Sequence, residues 1–301
     1  LLKQAVNAPA VGVTACRASQ NAEFAGRTTL HSPVPKMKKS NRRPTAFVVV
    51  STNHGSMLVN RHDYKLYDGG GYGVGYQILN SSSFDQEEVD FILQLLHARR
   101  QHFGEGVIAI DCGANIGVHT IEMAQFMHGW GNVLAIEAQE RIFYALAGNI
   151  AMNNCFNARA IWAAVGAENG LISVPVPNYF VPSSFGSLEI RPSNHTEFIG
   201  QEIDYSGAGA MPTRLMTIDD LQLKRLDLIK IDIEGMEMEA LRGAEKSIAA
   251  LKPQLVIEKI KTNEAELQSF LAGHGYRTFP LGINLLAMHE SDPTVQQMTQ
   301  G

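Results

Sequence analysis

The sequence predicts an α/β fold, a mostly parallel sheet with helices on both faces, and three observations carry that expectation. Residues 107–137 read as strand, glycine turn, helix, strand and terminal acid, which is a nucleotide-binding βαβ unit. Apolar runs at 160–165, 228–233 and 255–260 then alternate with amphipathic segments. A last pair of runs, 276–279 and 283–288, lies too close in sequence for a helical crossover. One C-terminal strand is therefore expected to be antiparallel.

The bulk numbers set the frame. At 301 residues the chain can bury the core of one large domain with appendages. A net charge of −5 argues against a general nucleic-acid binder, and no apolar run reaches the ~20 residues of a membrane span. Cys16, Cys112 and Cys155 form neither a disulfide framework nor a CxxC metal pair. The segment before Cys16 contains Asn7 and Pro9 and only faintly resembles a lipoprotein leader, and the chain starts at Leu1 rather than Met. These features suit a soluble, cytoplasmic protein.

Residues 1–45 read as a flexible basic segment that closes on PVPKMKKSNRRP. Residues 46–104 read as a β/α extension. Its runs at 47–50 and 56–59 flank the hairpin signal Asn53-His54-Gly55, and glycines at 69–71, 73 and 75 mark a mobile turn. Asp85 and Glu88 then form a capping box for a helix with the apolar stripe Val89, Ile92, Leu93 and Leu96. Arg99 and Arg100 suit the negative end of that helix.

The main domain is placed at 105–290. Within it a helix is expected at 141–153, one from Met236 to Pro253, and one at 264–271. Residues 170–216, with β-type runs at 171–174 and 187–190 and several prolines, read as an inserted β-rich hood over the substrate side. Residues 291–301 read as a polar, frayed tail. Trp130 and Trp162 are expected to pack, with Trp162 near enough to a strand end to flank a base.

The glycine turn bears on cofactor choice. A dinucleotide turn reads GxGxxG, its second glycine admitting a pyrophosphate to the helix N-terminus. Here the turn is DCGANIG, so Asn115 stands in that place between Gly113 and Gly117, and Asp111 precedes both. A carboxylate at Asp111 repels pyrophosphate and suits the ammonium of S-adenosyl-L-methionine, directly or through water. Glu137 can accept bonds from both ribose hydroxyls. A plainer reading makes Asp111 a helix cap and Glu137 an exposed strand-end acid.

A second cluster, KIDIEGME at 230–237, sits where the fourth strand meets its helix, on the edge that binds ligands in open α/β sheets. Asp232 is the first candidate to orient a hydroxyl acceptor and take its proton, and Glu234 the second. Glu237 reads as a helix N-terminal acid. Glu258 ends the fifth strand and suits either acceptor contact, as does Lys230, or an ion pair with Lys230 or Lys259. No histidine pair has HxxH or HExxH spacing, and no metal is expected.

Together DCGANIGVHT, IEAQERIFYALAGNIAMNN, WAAVGAENG, TIDDL and LIKIDIEGMEMEALRGAE resemble, in order and spacing, the FkbM family of S-adenosylmethionine-dependent methyltransferases. The resemblance covers about residues 109–258, and KIDIEGMEMEALRGA is its most specific part. It implies a class I Rossmann-like methyltransferase fold and O-methylation of a sugar or natural-product intermediate, with a small-molecule or glycan hydroxyl as partner. Thr120 and Ala163 complete the expected cofactor contacts. The chain departs from the family in having Ala138-Gln139 after the second-strand acid and His119 at a position often aromatic. An NAD-type oxidoreductase, disfavoured by Asn115, and a non-catalytic module of the same fold are the competing readings.

Overall fold

The computed structural model describes residues 44–298. The basic segment before Pro44, Cys16 and the last three residues lie outside them. The extension comprises a hairpin of β1 (Phe47–Thr52) and β2 (Gly55–Asn60), a small hairpin of β3 (Lys65–Tyr67) and β4 (Gly70–Tyr72), and helices α1 (Val74–Ser81) and α2 (Gln86–Phe103). The main domain continues with β5 (Val107–Cys112), α3 (Val118–Phe126), β6 (Gly131–Glu137), α4 (Glu140–Met152) and β7 (Ala158–Trp162). Next come β8 (Ala164–Val165), β9 (Gly170–Pro175) and β10 (Ala210–Met216), which form a separate three-stranded sheet. The chain ends with β11 (Leu228–Ile231), α5 (Glu237–Arg242), α6 (Glu245–Leu251), β12 (Gln254–Glu258), α7 (Glu264–Gly273), β13 (Tyr276–Leu281), β14 (Asn284–His289) and α8 (Pro293–Met298).

The main sheet has seven strands in the order β7-β6-β5-β11-β12-β14-β13. Six run in one direction, and β14 lies antiparallel to both its neighbours, as the short C-terminal connection predicts. Alternation along each strand divides the core into two layers. Val107, Ala109, Val133, Ala135 and Leu228 face α2, α3 and α4, whereas Ile110, Cys112, Ile136, Ile229 and Ile231 face α5, α6 and α7. Strand order reverses between β5 and β11, and a crevice opens there at the carboxyl edge.

Several sequence expectations are corrected. Gly75, expected in a mobile turn, lies instead in helix α1, and the strand expected at 160–165 divides so that β8 joins β10. The stretch 187–190 is irregular, its polar groups bonding within the hood. The helix expected from Met236 onward breaks at Gly243-Ala244, where Gly243 meets the backbone of Gly166. Asp85 adopts a left-handed conformation and makes no side-chain cap, so no capping box forms. The tail is not frayed up to Met298, because buried Asp292 and Thr294 anchor it against Gln254. Trp162 stacks on Phe143 and donates to the Ala138 carbonyl, outside the crevice. Among the described residues no helix is long and apolar enough to cross a membrane.

Arg99 is a buried clamp rather than a surface dipole partner. It donates to Asp227 at 3.2 Å and to Asp292 at 3.0 Å, tying α2 to the start of β11 and to the C-terminal segment. Both carboxylates are almost fully buried, at 1% and 2% exposure. Removing the guanidinium strands two buried charges, although Arg225 still serves Asp227. Arg99→Ala is expected to lose about 3 kcal/mol or more of unfolding free energy in urea titration.

Candidate active site

The crevice is a cleft of about 240 Å³ above the edges of β5, β6, β11 and β12, roofed by the hood and walled by the extension. At its floor the chain leaves β5 through Gly113, whose φ is +77°. A Cβ there would stand 1.7 Å from the Asp232 carbonyl oxygen, so only glycine lets the turn touch the exit of β11. Gly117, at φ +93°, lies against Leu146 and starts α3.

Every backbone N–H of the turn is already engaged. Gly113 and Ala114 donate to the Ile136 carbonyl at 3.0 Å, and Gly117 donates to the Ala114 carbonyl. Asn115, left-handed at φ +51°, turns its N–H to Glu137 at 3.0 Å, while its side-chain oxygen accepts from Ile116. The other Glu137 oxygen accepts from the Gln139 N–H at 2.7 Å. Glu137 is thus buried and structural on one side, with its remaining lone pairs lining the cleft.

Asp111 points toward α3 instead of into the cleft. Its Oδ2 accepts the Thr120 hydroxyl at 2.6 Å, and its Oδ1 is buried without a hydrogen-bond partner among the described residues. The strand pleat explains this, since Asp111 shares the face of Ala109 and pairs in register with Lys230. Lys230 is buried and donates to Asp232 at 2.9 Å, with Glu88 of α2 at 3.9 Å. Burial opposes its charge, but Asp232, Glu88 and Asp111 together hold the ammonium well above its ordinary range. Glu88 also stands 3.2 Å from His119 and accepts from Asn284. Burial would raise its carboxyl, yet His119 and Lys230 hold it at about 2.

Across the cleft, Asp232, Glu234 and Glu258 each place an oxygen within 4.8 Å of the others. Glu234 has an unusual left-handed backbone, φ +57°, and contacts Lys261 at 2.5 Å. Burial raises its carboxyl to about 7, against the pull of Lys261. Glu237 is fully buried and accepts from the N–H groups of Ile233 and Gly235, and from Thr262. It shapes the acid loop rather than merely complementing a helix dipole. Glu258 makes no ion pair with Lys230 or Lys259, the latter pairing with Glu264.

The hood is seated by buried Asp63, which accepts from Gly75 and Phe185, and by Gln139, which donates to the Phe185 carbonyl. Lys261 also reaches Glu189 and Glu197 of the hood, and Glu197 accepts from Tyr72.

Of the sequence-predicted residues, Gly113, Asn115, Glu137, Ala163, Lys230, Asp232, Glu234 and Glu258 line the cleft, whereas Asp111, Gly117 and Thr120 stand behind it. Sequence reasoning missed Glu88, His119 and Asn284. The only signal was Glu88 itself, three residues after Asp85, and it pointed to a cap.

A family model described as the methyltransferase FkbM domain matches residues 111–278, more than half of the chain. The chain belongs to the FkbM methyltransferase family. It is similar to methyltransferase sdnD of Sordaria araneosa, at 23% identity over 172 residues, half of this chain and 64% of that protein. Methyltransferase 1 of Beauveria bassiana is 24% identical over 169 residues, 52% of this chain and 66% of its own length. The chain thus spans slightly under two thirds of these relatives. Among solved structures, methyltransferase FkbM from Methylobacillus flagellatus covers 71% of this chain and 53% of its own, at 18% identity and a TM-score of 0.42. The seven-stranded order with its antiparallel β14 is that of a class I methyltransferase. Glu88 and Tyr72 come from the extension, outside the FkbM match.

Burial raises Glu137 from its ordinary 4.5 to about 7, against the N–H groups of Gln139 and Asn115. A carboxyl whose folded value is raised binds its proton more tightly folded than unfolded. Its contribution is fullest below 4.5 and is lost as pH climbs through about 7. Thermal midpoints are expected to fall over that window, and Glu137→Gln should make the slope shallower. Glu234 and Glu258 shift the same way, so the slope should not vanish.

Proposed function

We propose that this FkbM-family chain is an S-adenosyl-L-methionine-dependent methyltransferase acting on a hydroxyl acceptor. The observation that carries the reading is the glycine turn, whose five N–H groups from Gly113 to Gly117 are all engaged within the protein. A dinucleotide pyrophosphate needs such groups free. The cleft lining is also acidic, with Asp85, Glu88, Glu137, Asp232, Glu234 and Glu258 against one lysine, Lys230. That donor set suits a cation and polyol hydroxyls, and disfavours phosphate.

The residues present fit the cofactor. Glu137 would receive the ribose hydroxyls, and Ile116, Ile136, Ala163 and Val165 provide apolar walls for the base. When bound, the cofactor supplies an electrophilic methyl group whose bond to sulfur breaks with the pair staying on sulfur. The protein's own task is to align the acceptor oxygen and receive its proton. The carboxylates at the ends of β11 and β12 suit that task, and Lys230 would hold Asp232 toward the acceptor.

Calorimetry is expected to show saturable binding of S-adenosylmethionine and S-adenosylhomocysteine and none of NAD. Glu137→Ala should weaken S-adenosylhomocysteine about tenfold or more, since two bonds to a charged acceptor are lost. Tight NAD binding with no response to S-adenosylhomocysteine would sink the reading.

A further inference from the structure

Resting on that reading, we propose that Glu258, rather than Asp232 or Glu234, is the catalytic group that takes the proton of the acceptor hydroxyl. The three carboxylates converge on one point of the cleft, but they are not equivalent. Asp232 Oδ2 is held by Lys230 at 2.9 Å, and Glu234 Oε2 by Lys261 at 2.5 Å. A carboxylate oxygen committed to an ammonium has a lone pair engaged and is held away from an incoming hydroxyl. Glu258 has no ion pair, and its Oε2 is buried without a hydrogen-bond partner among the described residues. Buried polar atoms are rarely left so, and because Glu258 lines the cleft its carboxylate keeps a lone pair that the protein does not use.

The groups facing Glu258 support the assignment. Asp232, Glu234 and Glu237 approach from the loop between β11 and α5, and Lys230 comes from β11. On the other side, β14 contributes only the uncharged Asn284, in register with Glu258. Glu88 lies beyond Lys230, and Lys261 beyond Glu234. Burial first, and then the three acids, raise Glu258 to about 8 against the pull of Lys230. A base poised near the working pH is the effective one. In the step, the acceptor O–H bond breaks, its proton passes to ionised Glu258, and the pair stays on the oxygen, which takes the methyl group. Glu258 then returns the proton to solvent.

Sinefungin tests this without knowledge of the acceptor, because it carries an amine where the transferred methyl stands. Calorimetry at pH 6.5 and 8.5 would compare it with S-adenosylhomocysteine. The wild type is expected to prefer sinefungin by about tenfold or more at the higher pH, with the preference shrinking at the lower as Glu258 takes up its proton. Glu258→Gln should lose the preference at both pH values with unchanged S-adenosylhomocysteine affinity, and Asp232→Asn should keep most of it. A preference that survives in Glu258→Gln, or that disappears only in Asp232→Asn, would overturn the assignment. Should Glu258→Gln bind neither ligand, Glu258→Asp decides. Its shortened carboxylate should keep the pH dependence with a smaller preference, and a pH-independent preference equal to that of the wild type would overturn the assignment. Wild-type protein that binds neither ligand would refute the cofactor reading itself, and the assignment with it.

Discussion

The site depends on one backbone contact, the crossing of Gly113 over the exit of β11. Asp232 N–H donates to the Cys112 carbonyl at 3.0 Å, and the Asp232 carbonyl fills the space where a Gly113 side chain would stand. The glycine turn and the acid loop are therefore parts of one rigid joint. Their spacing is set by hydrogen bonds between neighbouring parallel strands, not by flexible side chains. Reactions that demand alignment gain most from such a joint, because misplacement of about 1 Å costs large factors in rate.

The same joint explains the electrostatics. Because β5 and β11 are in register, Asp111 and Lys230 face the same layer, beneath α2 and α3. Lys230 is buried there only because acids surround it: Asp232 on its own strand's exit, Asp111 beside it and Glu88 from the extension. A buried ammonium without such partners would shed its proton. Glu88 in turn stays ionised because Lys230 and His119 face it. The extension is thus coupled to the carboxyl edge of the sheet by charge as well as by packing, though it lies outside the family match.

Much of the fold was legible because its signals are local. Strand and helix runs, the glycine turn and the short C-terminal connection all declare themselves within a dozen residues. The site was legible only to the level of its edge. Motif position brought Asp232, Glu234, Lys230 and Glu258 to one end of the sheet, but partners distant in sequence decide what each does. Lys261 meets Glu234 across the sheet edge, and Glu88 meets His119 from another helix. Neither pairing has a sequence period. Asp85 and Glu88 show the converse error, since a capping pattern was present while the tertiary partners of Glu88 outcompeted it. Asp111 was expected in the turn, and the pleat turns it instead toward Thr120.

Charge pairing also separates structural acids from available ones. Glu237 is the most buried acid of its loop, yet both its oxygens are taken, by two backbone N–H groups and by Thr262. Asp232 and Glu234 each hold a lysine, and those lysines reach outward to the extension and the hood. Ion pairs of this kind position groups more than they stabilise the fold, because desolvation offsets most of the attraction. Glu258 sits where the parallel strands give way to antiparallel β14, facing uncharged Asn284. No cation reaches it from either neighbouring strand within ion-pair distance, so the topology that ends the parallel sheet also leaves one acid of the cluster with a free oxygen.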